Sequence, residues 1–188
     1  TINDQRSTIN DMTDWTARRI LKEIASPEER KEILTAFWRG ADEHARLIAL
    51  ALLAKSLHFR EQTLRKSPPE KKAELLASRL GASELEESFA IALMTYHTAE
   101  ARDLMIAFLD RWGVPHENGV IESDDYRIPD RAAVDAALQA MSQTIPLRRI
   151  LLYLASAGLL MGDGLPAWRD ATWPVVDRWS ASLGDSAG

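Results

Sequence analysis

The feature that most constrains the fold is an internal repeat with a period of 41 residues. The segment SPEERKEILTAFWRGADEHARLIALALL, residues 26–53, aligns without a gap with SPPEKKAELLASRLGASELEESFAIALM, residues 67–94. Twelve of the 28 aligned positions are identical. A repeat of about 40 residues that contains two helical segments is typical of stacked pairs of α-helices. The repeat therefore predicts an all-α protein.

Helix start and stop signals divide each copy into two helices. Ser26 is a candidate N-cap, because its hydroxyl can accept a hydrogen bond from a backbone N–H of the first turn, and Glu29 can complete a capping box. Gly40 can take the left-handed conformation that ends a helix. The same signals recur at Ser67 and Gly81. Each copy is thus predicted to be a helical hairpin.

The helical pattern continues along the rest of the chain. We predict a helix from Thr13, followed by four helix pairs over residues 26–66, 67–97, 98–143 and 144–183. The helix from Asp42 to about His58 is apolar nearly all round, which predicts a central, buried position. The layout is similar to that of HEAT-like αα repeats in its period and in the proline and glycine residues at the starts and ends of its helices. An irregular helical bundle is the alternative.

The domain organisation follows from these segments. We expect residues 1–11 to be a flexible N-terminal arm, residues 12–183 to form a single all-helical domain, and residues 184–188 to be a loose tail. One uncertain boundary lies between the helices at 84–96 and 99–112. We predict a break near Thr98, because a single helix of about 29 residues would be unusually long for a compact domain.

Residues 114–128 depart from the helical pattern. Asn118-Gly119 is the strongest short hairpin-turn dipeptide, and apolar residues flank it, so a short β-hairpin or an ordered loop insertion is predicted. Loops on rigid scaffolds often carry function, and Trp and Tyr are favoured anchors of binding surfaces. The candidate partner-binding residues are therefore those of the insertion and its neighbour: His116, Asn118, Tyr126, Arg127 and Trp112.

Composition excludes several classes of protein. The chain contains no cysteine, which excludes disulfides, thiol catalysis and cysteine-ligated metal centres. Its net charge of −5 disfavours nucleic acid as a partner, since nonspecific affinity for phosphates depends on Lys and Arg. The longest apolar runs, residues 47–54 and 150–161, are too short to cross a bilayer, and the polar start of the chain resembles no signal peptide. We expect a cytoplasmic protein without a membrane span.

Side-chain chemistry offers one weak candidate site. His97 and Glu100 are three residues apart and could share a helix face, with His116 on the nearby loop as a third metal ligand. No phosphate-binding loop, nucleophile elbow or dinucleotide motif accompanies them.

The function expected from these patterns is a helical protein-interaction or adaptor module that binds a protein or peptide, needs no cofactor and can form a homo-oligomer. A small helical metal-binding protein or enzyme that uses the His/Glu cluster is the alternative.

Overall fold

The computed structural model describes residues 14–121, 126–162 and 164–183, and most of these residues lie in α-helices. The helices of these residues are α1 (Ala17–Arg19), α2 (Pro27–Gly40), α3 (Glu43–Leu57), α4 (Glu61–Arg65), α5 (Pro69–Ala77), α6 (Glu86–Ala99), α7 (Arg102–Trp112), α8 (Arg131–Met141), α9 (Leu147–Met161) and α10 (Ala167–Ser180). A π-helical turn, Ile20–Ile24, continues α1, and short 3-10 turns precede α6 and follow α10. The all-α prediction is confirmed.

The capping box at the start of the first repeat copy is present. Ser26 accepts a hydrogen bond from the backbone nitrogen of Glu29 at 3.1 Å, and the Glu29 carboxylate accepts one from the Ser26 nitrogen at 2.9 Å. The second copy does not reproduce this cap, because two prolines follow Ser67. Pro68 is the N-cap of α5 and provides no side-chain hydrogen bond.

Glycines at the ends of two helices adopt different backbone conformations. Gly113 ends α7 in the left-handed conformation, with φ of 66°. Gly40 is the last residue of α2 and not a left-handed cap, so that prediction was wrong; Ala41 ends the helix in an extended conformation. The predicted break between α6 and α7 is present, although it lies at Glu100 and Ala101, just after Thr98.

The helix at the centre of the fold is α9. It contacts α6, α7, α8, α10 and the π-helical turn, and every residue over 150–158 is buried. Helix α10 runs antiparallel to α9, since Gly162 lies beside Arg169 and Gly158 lies beside Trp173. Pro174 lies inside α10. The central position predicted for α3 therefore belongs to α9.

The two repeat copies do not stack as two regular hairpins. Helix α2 packs chiefly against α5 and α6, whereas α3 packs against α4, α6 and the 3-10 turn Ser83–Leu85. Helices α2 and α3 follow one another in sequence but form no comparable contact. The HEAT-like arrangement is therefore not confirmed, and irregular helical packing describes the fold.

The first described residues pack against the last helices. Trp15 donates a hydrogen bond of 2.9 Å from Nε1 to Asp177 of α10, and Arg148 of α9 donates one of 2.8 Å to the backbone oxygen of Ile24. The helix predicted from Thr13 begins at Ala17, where Thr16 is the N-cap. Thr13, the arm at 1–11 and the tail at 184–188 lie outside the described residues. Within the described residues, no helix combines the length and the apolar character that a membrane crossing requires.

Candidate functional site

Helix α3 presents an apolar face to solvent. Leu47 and Ile48 are 40% and 42% exposed, Ala51 is exposed, and Leu52 is half-buried. Helix α3 buries only its opposite side, where Ala49, Leu50, Leu53 and Ala54 contact the rest of the fold. The sequence predicted a buried helix because α3 is apolar all round. That prediction was wrong, since the fold covers one side of α3 and leaves the other open.

The internal repeat allows this open face to be compared with its counterpart in α6. The four equivalent positions are Leu47, Ile48, Ala51 and Leu52 in α3, and Ser88, Phe89, Ala92 and Leu93 in α6. All four positions are buried in α6, where helices α1, α2 and α9 contact that helix. The same positions in α3 keep large apolar side chains without a covering helix. A face that only contacts water is expected to be polar, so this face has the composition of an interface.

A groove of about 210 Å³ runs between α3 and the start of α6 beside this face. Its floor is apolar and its rim is acidic. The α3–α6 groove has a floor of Ala45, Ile48, Leu52 and Ile91 and a rim of Asp42, Glu84 and Glu87. Apolar floors with polar rims are the usual anatomy of binding grooves for helices and peptides.

The acidic rim has a defined structure. The carboxylate of Asp42 caps α3 by accepting hydrogen bonds from the backbone nitrogens of His44 at 2.8 Å and Ala45 at 3.4 Å, which fixes it at the groove entrance. Among the described residues, no basic side chain forms an ion pair with Asp42, Glu84 or Glu87. The rim therefore presents three carboxylates that have no ion-pair partner among the described residues.

The partner-binding residues predicted in and beside the loop insertion do not line the α3–α6 groove. The Asn118-Gly119 turn forms as predicted, with φ of 51° and 86°, and a single antiparallel bridge joins Glu117 to Val120. No β-strand occurs in the described part of the chain, so the β-hairpin is not confirmed. His116 is held within the loop: its Nδ1 accepts a hydrogen bond of 3.1 Å from Gly119, and its Nε2 lies 3.2 Å from Asp110.

The aromatic candidates pack against one another. Trp112 is half-buried, with its ring 4.9 Å from that of Phe108 and 5.7 Å from that of Trp168. The hydroxyl of Tyr126 accepts a hydrogen bond of 3.3 Å from Trp168. Arg127 is exposed. No observation on the described residues tests whether these side chains bind a partner, so their role remains a prediction.

The proposed metal ligands do not converge. His97 is buried and lines an apolar pocket, whereas Glu100 is exposed and lines a separate polar groove with Arg149. Both nitrogens of His116 already have partners in the loop. Within the described residues, no group of three His, Asp or Glu side chains is arranged to hold a metal ion. The three-residue spacing of His97 and Glu100 does not bring their side chains together. Glu100 lies at the end of α6 and lines a different pocket from His97.

Comparison of the chain with protein-family models, with curated proteins and with solved structures found no significant match.

Proposed function

We propose that this protein is a helical interaction module whose α3–α6 groove binds an amphipathic helix with basic flanking residues, supplied by a protein partner. The observation that carries the proposal is the open apolar face of α3, whose repeat counterpart in α6 is buried under other helices. The chain thus contains one copy of this face that is covered and one that is not. A helix of a partner is the natural complement of the uncovered copy.

The apolar contribution comes from Leu47, Ile48 and Leu52. Covering the exposed part of each side chain is expected to stabilise a complex by about 1 to 2 kcal/mol, from the transfer of apolar surface out of water. Helices that bind in grooves place anchors at spacings of three and four residues, which match the stripe on α3. Small Ala51 lies in the middle of that stripe and permits a close approach of the two helices.

The negative charge on the rim of the α3–α6 groove favours a partner helix with basic residues. Asp42, Glu84 and Glu87 have no basic partner among the described residues, so Lys or Arg at the edge of the incoming helix would find carboxylates to pair with. Exposed ion pairs contribute more to partner selection and association rate than to affinity. Binding should therefore weaken as salt is added. A cytoplasmic location remains a prediction from the sequence.

The test uses a short, fluorescently labelled amphipathic helical peptide of leucine and lysine, titrated with the protein and followed by fluorescence anisotropy. Ile48→Asn and Leu52→Asn leave the net charge unchanged, and each is expected to weaken binding by about tenfold, since each removes an apolar anchor. The double variant Glu84→Gln with Glu87→Gln should weaken binding at low salt and flatten its salt dependence. Leu165→Asn is the matched control, because Leu165 is 42% exposed and lies outside the groove.

Two results would contradict the proposal. Equal binding to the wild type, Ile48→Asn and Leu52→Asn would show that the peptide adheres to acidic surface and not to the groove. A wild-type protein that sediments as a dimer, and an Ile48→Asn variant that sediments as a monomer, would assign the face to a second copy of the chain instead of a basic helix.

A further inference from the structure

A second cavity lies between α6, α7, α9 and the loop at residues 114–121. It has a volume of about 240 Å³, opens to solvent beside the exposed Met94, and is lined mainly by apolar side chains. Its walls include Met94, Met105, Ile121, Leu160 and Met161. Three of the five methionines of the chain thus line one cavity. Methionine is flexible and polarisable, which suits a wall that adapts to a bound apolar molecule.

One polar side chain in this cavity has no partner. His97 is 4% exposed, and neither Nδ1 nor Nε2 has a hydrogen-bond partner among the described residues. The ring packs edge-on against two tyrosines, with centroids 5.4 Å from Tyr96 and 5.5 Å from Tyr153. A buried polar atom without a hydrogen bond costs about 1 to 3 kcal/mol, so native proteins seldom keep one without a reason.

Two hydroxyl groups in the walls donate to the backbone and not to His97. Ser156 donates its hydrogen bond to the backbone oxygen of Leu152 at 2.8 Å, and Thr98 donates to that of Met94 at 2.8 Å. The imidazole of His97, whose nitrogens have no partner among the described residues, can both donate and accept a hydrogen bond with a molecule in the cavity.

The electrostatics of the cavity exclude a charged occupant. Burial and, to a smaller extent, the positive charge of Arg149 together lower the pKa of His97 from 6.5 to about 3. The ring is therefore neutral near pH 7, with one N–H donor and one acceptor nitrogen. An ionised ligand would lose its hydration in an apolar cavity without gaining an opposite charge.

We propose that this cavity binds a small, uncharged, mostly apolar molecule whose single hydroxyl group hydrogen-bonds to a ring nitrogen of His97. A hydroxyl can act as donor or acceptor, and either role matches a neutral imidazole. The size of the cavity sets the size of the molecule. An apolar cavity of about 150 Å³ admits benzene, so the larger volume here has room for a substituted single ring. This inference is independent of the α3–α6 groove, which shares α6 but no lining residue with the cavity.

The test compares two probes of nearly equal shape on the unmodified protein by isothermal titration calorimetry. 4-Ethylphenol carries a hydroxyl, and ethylbenzene does not. We expect 4-ethylphenol to bind one per chain and about tenfold more tightly than ethylbenzene, as one buried neutral hydrogen bond allows. The ring nitrogen signals of His97 should shift in a ¹⁵N spectrum when 4-ethylphenol binds and should move less with ethylbenzene.

Substitutions in the cavity test where the probes bind and which side chain recognises the hydroxyl group. His97→Leu should remove the preference for the phenol, so that both probes bind alike, whereas His97→Gln keeps a donor and an acceptor and should retain part of it. Ala157→Leu fills the cavity from α9 and should weaken both probes. Circular dichroism and thermal melting establish that each variant folds.

Three results would overturn the inference. In the first, neither probe binds the wild-type protein. In the second, the two probes bind with equal affinity. In the third, 4-ethylphenol binds but leaves the ¹⁵N signals of His97 unchanged. All three are measured on the wild-type protein.

Discussion

Gly158 of α9 lies directly against the indole nitrogen of Trp173 in α10. Trp173 also donates a hydrogen bond of 3.3 Å from Nε1 to the backbone oxygen of Ala155, one turn earlier in α9. The hydroxyl of Thr172, which is fully buried, lies beside the same glycine. This close approach joins the central helix to the last helix of the described chain, and it depends on the absence of a side chain at Gly158.

A methyl group at Gly158 is therefore expected to destabilise the protein. In Gly158→Ala the new Cβ would overlap buried atoms of Trp173 and Thr172 that have little room to move. We expect the free energy of unfolding to fall by about 1 to 3 kcal/mol, despite the better helix propensity of alanine. Gly81→Ala is the control, because no atom lies within 4 Å of its Cβ and its φ is not positive. Equal stability of the two variants in urea unfolding would contradict the importance of this contact.

The two repeat copies allow a matched test of helix capping. Ser26→Ala removes the side chain that accepts from Glu29 and should lower the free energy of unfolding by about 1 kcal/mol. Ser67→Ala changes the equivalent residue, whose hydroxyl instead donates to the backbone oxygen of Thr63 at 3.3 Å. The second change should cost less than half as much. Thermal melts of the two variants provide the comparison, and a larger loss for Ser67→Ala would show that the caps are wrongly assigned.

A second matched pair tests whether the face of α3 is open in solution. Ile48→Ala should change the free energy of unfolding by less than about 1 kcal/mol, because Ile48 is already 42% exposed. Phe89→Ala, at the equivalent position of α6, should cost about 3 to 5 kcal/mol, because Phe89 is fully buried. Chemical denaturation of both variants measures the difference. A large loss for Ile48→Ala would mean that this face is covered in the isolated protein.

Burial of neutral His97 predicts a dependence of stability on pH. The pKa is lowered from 6.5 to about 3 by folding, so below pH 6.5 the unfolded chain binds a proton that the native state does not. This contribution to stability is therefore present above pH 6.5 and is lost as the pH falls toward 3.

Comparison with His97→Gln isolates the effect. Between about pH 6 and about pH 4, the free energy of unfolding of the wild type should fall by about 2 kcal/mol more than that of the variant. Urea unfolding at several pH values measures both curves. Parallel curves would show that His97 is protonated in the native state.

The sequence predicted helices more accurately than it predicted their packing. The capping box at Ser26 is a local feature, and it forms as expected. The second copy differs because Pro69 replaces Glu28, which moves the cap by one residue. Local chemistry thus determines where a helix starts, and a single substitution shifts it.

The position of α3 could not be predicted in this way. Its apolar residues surround the helix, and periodicity carries no information about which side the rest of the chain will cover. Helix α9 carries its charged residues, Arg148 and Arg149, only in the first turn, and it lies at the centre because five other segments contact it.

Sequence patterns did not predict the cavity around His97 either. Its methionines, Met94, Met105 and Met161, belong to three different helices and follow no shared spacing. His97 itself drew attention as a metal ligand because Glu100 follows three residues later. The structure instead places the imidazole among apolar and aromatic side chains, where its neutral form is favoured.

The hydrogen bond between Trp15 and Asp177 has a consequence for how such a protein can evolve. An open array of helical repeats grows by duplication, since a new unit can dock on either terminal unit. Here the segment before α1 covers α10 and thereby closes the arrangement on itself. A further helical pair added next to α10 would have to displace Trp15, whose side chain is 2% exposed. Extension of the fold at α10 would thus require the Trp15–Asp177 hydrogen bond to break.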